Sequence, residues 1–300
     1  MLKPQSLLCP RPEGLYCPPG DFFVDPVRPV ARAVITHGHS DHARTGHGLV
    51  LATAATLDIM RVRYGEGFAG SSRALGYGEV VERDGVSLSL APSGHVLGSA
   101  QAVMRWKGMS VVVSGDYKRR RDPTCVAFEP VPCDVFVSEA TFGLPVFRHP
   151  PDGEEIGKLL KSVVQFPERT HLVGAYALGK AQRVIALLRE AGYDRTIFVH
   201  GALDELNALY TRHGIALGPL AANLAGIDVA AGDVPLGVNL LPPAQRRQQQ
   251  DPFRLWNWVL AMVAVLAVAA MLWQMLDNRR AAADALQRST DQRTLTLVPE

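Results

Sequence analysis

Cysteine is scarce in this sequence. Only Cys9, Cys17, Cys125 and Cys133 occur in 300 residues, and no pair is spaced C-x-x-C. That excludes a disulfide framework and reads as reduced, cytosolic thiols. Net charge is nearly absent too. The 31 basic and 29 acidic side chains leave +2, too little to announce a nucleic-acid binder by composition, although a local basic stripe stays open. Residues 1–14 contain no continuous apolar run, so no signal peptide is expected. No internal repeat is found. Apolar material, by contrast, is ample: the chain is 47% hydrophobic and 20% charged, which excludes disorder as its main state, and the length fits about two ordinary domains.

Absences also divide the chain. Residues 221–300 carry seven Arg and seven Asp or Glu but no His, Lys or Cys, and the last histidine is His213. Inside this tail, residues 255–276 read LWNWVLAMVAVLAVAAMLWQML, 22 residues without a formal charge. As a helix rising about 1.5 Å per residue they would span about 33 Å, enough for a hydrocarbon core of about 30 Å. Trp256, Trp258 and Trp273 sit near the ends, where aromatic rings meet the headgroups. A single transmembrane helix is therefore expected there.

The front of the chain alternates short apolar runs with turns. Residues 30–36, 87–91, 110–114 and 134–138 read as strands, and 54–64 as a helix. From residue 152 the rhythm changes to amphipathic helices at 153–164, 178–191 and 204–213, separated by strands at 170–175 and 196–200. Strand–helix alternation implies a parallel αβ layer. Residues 214–237 are rich in Gly, Ala and Pro with weak periodicity. Residues 239–250 are polar and basic.

The sharpest chemical feature is His37-Gly38-His39-Ser40-Asp41-His42, following a β-branched strand. One short loop delivers three imidazoles and a carboxylate, the donor types that zinc favours. A polar surface loop explains one histidine far better than it explains this set. Two further elements add to it. Ser93-Gly94-His95-Val96-Leu97-Gly98-Ser99 places a histidine in a glycine turn after a strand, and Ser114-Gly115-Asp116 places a carboxylate at the end of another. Together they supply a third histidine for one metal and a bridging carboxylate for two. Lys118-Arg119-Arg120-Arg121 reads as a contact for a nucleic-acid backbone or as a solvated charge run. The helix start at Gly179-Lys180-Ala181-Gln182 offers backbone N–H groups and Lys180 to a phosphate, or is an ordinary basic helix start.

With these residues in place, the sequence resembles the metallo-β-lactamase-fold nucleases of the β-CASP group. The HxHxDH loop, GHVLGSAQ, SGDY and SEATFG occur in the family's order, and YALGKAQR and HGALDELNALY look most like bacterial DNA ligase-associated exonucleases. The resemblance covers about residues 1–219. It implies two zinc ions per chain: His37, His39 and His95 on one, Asp41 and His42 on the other, with Asp116 bridging. It implies hydrolysis of a phosphodiester by a zinc-activated hydroxide, with Asp41 and Asp116 in the catalytic set. Glu139, in SEATFG, matches the family's first β-CASP acidic motif, which orients a later histidine. Nucleic acid is the implied partner, DNA rather than RNA, with a DNA ligase and a helicase as protein partners. Lys118, Arg119, Arg120 and Lys180 are the candidate nucleic-acid contacts.

The family supplies two further histidines beyond the β-CASP segment, and none follows His213. The second metal is thus expected to lack a ligand and the leaving oxygen its acid, leaving the chain catalytically weak or inert. The tail has its own resemblance. VNLLPP, a basic Gln-rich run, the apolar span and NRRAAADAL look like the membrane segment of bitopic assembly proteins of type II secretion and type IV pilus machines, over about residues 236–288. The expected fold class is α/β: an incomplete metallo-β-lactamase αββα sandwich (1–150) with part of a β-CASP αβ insert (151–219). A linker and basic juxtamembrane segment (220–253), one transmembrane helix (254–280) and a short tail (281–300) would follow. This places a cytoplasmic front part on the inner membrane, N-terminus inside. The alternative functional reading is an inner-membrane assembly component, partnered by other secretion-system proteins, with a non-catalytic front half. A natural fusion and a chimeric junction near residues 214–236 both account for the two pieces, and the loss of catalytic parts at the junction favours the second. A metal-binding hydrolase of small esters shares the histidine loop but leaves segment 139–213 unexplained.

Overall fold

Three sheets and four helices organise the residues that this computed structural model describes, 3–222 and 236–238. The first sheet runs in the order β1 (Cys9–Arg11), β2 (Gly14–Cys17), β3 (Phe22–Val24), β4 (Arg32–Val34), β5 (His47–Ala52) and β6 (Ala69–Ala74). Its first three strands form an antiparallel meander, and β3 through β6 are parallel. The second sheet is built from β7 (Val80–Arg83), β8 (Val86–Pro92), β9 (Ala100–Trp106), β10 (Met109–Val113) and β11 (Val135–Val137), all antiparallel except β10 with β11.

The period-two alternation of these strands decides how the layers stack. Val34 and Leu51 point to one side of the first sheet, where they meet Val86, Leu88, Leu90, Ala102, Met104, Val111 and Val113 of the second. Ala33, Ile35, Val50 and Ala52 point to the other side, where they pack under Leu57 and Met60. Those two belong to helix α1 (Ala54–Tyr64), which is capped by the Thr53 hydroxyl on the Thr56 N–H and ended by Gly65. The order is therefore helix, sheet, sheet. Val103 and Val112 face outward from the second sheet, onto Val131 and Cys133.

A third layer follows along the chain. Helices α2 (Asp152–Gln165), α3 (Lys180–Glu190) and α4 (Asp204–Arg212) accompany a parallel sheet in the order β12 (His171–Leu172), β15 (Leu236–Val238), β13 (Ile197–Val199), β14 (Leu220–Ala222). Its core contains Ile185, Leu188, Ile197, Leu209 and Tyr210, and it extends to Ala55 and Ile59 of α1. The same helix thus packs on the first sheet with one face and on this layer with another. The strand expected over 170–175 shrinks to the two residues of β12.

The expected fold class needs one correction. The described architecture is α/β with mixed sheets, consistent with a metallo-β-lactamase-like arrangement, but no described helix is long and apolar enough to cross a membrane. The longest, α2, has 14 residues, about 21 Å at 1.5 Å per residue, well short of a hydrocarbon core of about 30 Å. The run 255–276 that carried the membrane expectation lies outside the described residues, and the membrane as a partner goes with it.

Candidate metal centre

The loop after β4 is tied down at both ends. Ile35 N–H donates to Leu51 C=O (2.9 Å), and Thr36 uses its N–H and its hydroxyl on the two oxygens of Asp25, at 2.8 and 2.6 Å. The chain then turns tightly, with Ala43 N–H on His39 C=O at 2.7 Å. The Arg63 guanidinium, from α1, holds Gly38 C=O at 2.7 Å. His37 is fully buried and His39 partly so.

Two other loops meet this one. The turn carrying His95 depends on Gly94, at φ 71°, where a side chain would run into the Lys118 carbonyl at 2.4 Å. The Ser99 hydroxyl accepts from the His95 and Val96 N–H groups at 3.0 and 3.1 Å. The turn carrying Asp116 depends on Gly115, at φ 54°, where a Cβ would stand 2.5 Å from the Thr36 hydroxyl. Ser93 Oγ bonds the Asp116 carbonyl at 2.9 Å and joins the two turns.

The result is a convergence of donors. His37 Nε2 lies 3.0 Å from His39 Nδ1, which lies 3.1 Å from His95 Nε2. Asp116 Oδ2 is 3.8 Å from His37 Nε2 and 3.5 Å from His95 Nε2. One donor atom from each of His37, His39, His95 and Asp116 fits within a span of 4.8 Å. Tetrahedral ligands about 2.0–2.1 Å from a zinc ion lie about 3.3 Å apart. The donor set and its spacing therefore fit a cation of that kind.

The electrostatics favour the same use. Burial pushes the His37 ring well below its ordinary value, and the charges of His42, His95 and His39 act in the same sense. His95 is depressed to about 4 by burial and then by His39, and His39 is lowered by burial. Near neutral pH these rings are neutral, the form that binds metal. His42 differs. Burial opposes its charge, but hydrogen bonds to Asp116 and Asp25 outweigh that and raise it to about 10. The Asp116 carboxyl is held below its usual range, first by its hydrogen bond with His42.

His42 and Asp41 stand beside the four-residue group. His42 Nε2 is 3.4 Å from Asp116 Oδ1 and 3.8 Å from Asp41 Oδ2, and the Asp41 side chain is 71% exposed. Glu139 follows β11, the parallel neighbour of the strand that leads to Asp116, and its carboxylate accepts from Thr141 N–H at 2.8 Å. Of the basic candidates, Lys118 reaches Asp122 and the His95 carbonyl. Arg120 bonds the carbonyls of His149 and Pro150. Arg119 and Lys180 are exposed. Lys180 opens α3 next to Gly179, and a Cβ on Gly179 would lie 3.9 Å from His39 Nε2.

Sequence reasoning missed Asp25. Its carboxylate accepts from Thr36 and lies 2.7 Å from His42 Nδ1, so it orients the ring from behind. The available signal was its position at the end of the apolar strand Phe22–Val24, the same context that singled out Asp116. The carbonyl of Leu178, 3.3 Å from His39 Nε2, left no signal in its residue type.

No family model matches the chain. A probable DNA ligase of Opitutus terrae is 29% identical over 213 residues, 69% of this chain and 20% of that protein. An endoribonuclease of Aspergillus fumigatus is 34% identical over 104 residues, 33% of this chain and 12% of that protein. These likenesses point to the metallo-β-lactamase/β-CASP nucleases. A third relative is of another kind: type II secretion system protein L of Xanthomonas campestris is 55% identical over 65 residues, 21% of this chain and 17% of that protein. The chain spans a fifth or less of the length of each of these relatives.

Proposed function

We propose that this chain carries the centre of a zinc-dependent nuclease that hydrolyses phosphodiesters, with DNA as substrate and exonucleolytic release of nucleotides as the mode. The observation that carries the reading is the meeting of His37, His39, His95 and Asp116, from three loops, within 4.8 Å. The preference for DNA rests on the match to the DNA ligase, which covers 69% of this chain, against 60% and 33% for two endoribonucleases.

His37, His39 and His95 would hold one zinc, and Asp41 and His42 a second, with Asp116 between them; His42 would have to give up a ring proton to do so. When bound, zinc supplies Lewis acidity toward a phosphoryl oxygen and makes water nucleophilic near neutral pH. The chain's own residues do the rest. Asp25 fixes the His42 ring through Nδ1, leaving Nε2 toward Asp116 and Asp41. Asp41, largely exposed, would orient a water and accept its proton. Gly179, at the start of α3, lies beside His39, and Lys180, which follows it, would hold a phosphate of the substrate strand.

The test is nucleotide release from end-labelled single- and double-stranded DNA and from RNA of the same sequence, with and without added zinc. The reading expects weak, zinc-dependent release from DNA that Asp116→Ala abolishes. Release that persists in Asp116→Ala, or after chelation of all metal, contradicts it.

A further inference from the structure

We infer that Gln182 is a positioning residue for His39, acting from helix α3 through the turn at residues 177–179. The inference rests on the metal reading above. Gln182 is fully buried, in a helix whose neighbouring core positions are Ala181, Ile185 and Ala186. A buried amide is costly unless its polar atoms find partners, and an aliphatic side chain would fill a core position without that demand. Here the amide makes three bonds. Its Oε1 accepts from Gly179 N–H at 2.8 Å, and its Nε2 donates to Ala177 C=O and to Asn207 Oδ1, both at 2.9 Å.

Two of those bonds grip the peptide groups on either side of Leu178. The Leu178 carbonyl is the one that meets His39 Nε2 at 3.3 Å. A carbonyl can only accept, so this contact requires the proton of His39 on Nε2. That leaves the Nδ1 lone pair facing His37 Nε2 and His95 Nε2, at 3.0 and 3.1 Å. The turn is narrow. Gly179 sits at φ 85°, where a Cβ would come within 2.5 Å of Val96 Cγ1. At 3.3 Å the contact is already near the long end of a hydrogen bond, so a small outward drift of Leu178 breaks it. Gln182 prevents that drift, and Asn207 of α4 keeps Gln182 in place. The third layer thus sets the tautomer of a metal-ligand histidine that it does not itself carry.

The experiment compares the full chain with its Gln182→Leu variant, which keeps the volume and removes the amide. Two quantities are read: zinc affinity by chelator competition, and the ring tautomer of His39 by nitrogen-15 NMR on metal-free protein. The expected result is about a tenfold weaker zinc affinity, the usual scale for losing an outer partner of a ligand histidine, with His39 no longer held in the Nε2–H form. A folded Gln182→Leu chain with unchanged zinc affinity and an unchanged His39 tautomer overturns the inference. If Gln182→Leu does not fold, Gly179→Ala displaces the turn from the other side, and the same two readouts decide. A wild-type chain that takes up no zinc overturns the metal reading instead; the tautomer, measured without metal, still decides the role of Gln182.

Discussion

Asp25 Oδ2 lies 2.7 Å from His42 Nδ1 while the same carboxylate takes both the N–H and the hydroxyl of Thr36. One side chain therefore anchors the start of the histidine loop and orients its last ring. Asp25→Ala leaves the Thr36 N–H and the His42 ring without their acceptor. The expected cost is about 1–3 kcal/mol of stability, with zinc affinity about 10- to 100-fold weaker. Thermal melts together with chelator competition check both. A normal zinc affinity in the folded variant would remove Asp25 from the site.

Asp122 is buried, with its carboxylate shared between Lys118 and Arg183, 3.4 Å from the Arg183 Nε, and bonded by the Thr124 hydroxyl at 2.6 Å. Arg183 belongs to α3 and also reaches Asp152 of α2. Removing the carboxylate takes one partner from each of two partly buried cations. Asp122→Ala should cost about 1–3 kcal/mol, read as a shift of the denaturant midpoint with the slope unchanged. A shift under about 1 kcal/mol, the scale of an exposed pair, would show that the network does not tie α3 to the loop at 118–124.

The same geometry separates the basic candidates. Lys118 is committed to Asp122, whereas Arg119 and Lys180 are exposed. Lys118→Ala should lower stability. Arg119→Ala and Lys180→Ala should instead weaken binding of a DNA oligonucleotide and each reduce the slope of log affinity against log salt by about 1. Titrations at several salt concentrations check this. An unchanged slope in both exposed variants would remove these side chains from the DNA contact.

Much of the centre was legible in the sequence because its residues are dense and their spacing is chemical. His37 to His42 fall in six residues, and His95 and Asp116 each follow an apolar strand. Helix 54–64 was legible from its apolar spacing and matches α1. Strand β6 was not, because Ala69–Ala74 reads AGSSRA and lies at the exposed edge of its sheet, where no apolar alternation is needed. Asp25 followed by Pro26 looks like an ordinary turn until Thr36 and His42 are seen beside it. Lys118 looked like part of a free basic run, because sequence does not show that Asp122, four residues on, folds back to meet it.

A buried and a partly buried thiol should weaken the fold at alkaline pH. Burial raises Cys17 to about 11 and Cys125 to about 12. Between the unfolded value of about 8.5 and these folded values, the unfolded state has lost protons that the folded state keeps. Stability should therefore be fully present below about pH 8.5 and fall as pH rises toward 11 and 12. Denaturant midpoints from pH 7 to 11 check the direction, and Cys17→Ala with Cys125→Ala should flatten the fall. An equally steep fall in that double variant would assign it to other groups.

The central claim is that His37, His39, His95 and Asp116 hold a metal together. Its most direct test is the zinc content of the folded chain after equilibrium dialysis, alongside His95→Ala and Asp116→Ala. The account predicts zinc retained in stoichiometric amount by the wild type and weakened or lost in both variants. A folded wild type that retains no stoichiometric zinc, or variants that retain as much with equal affinity, would contradict it.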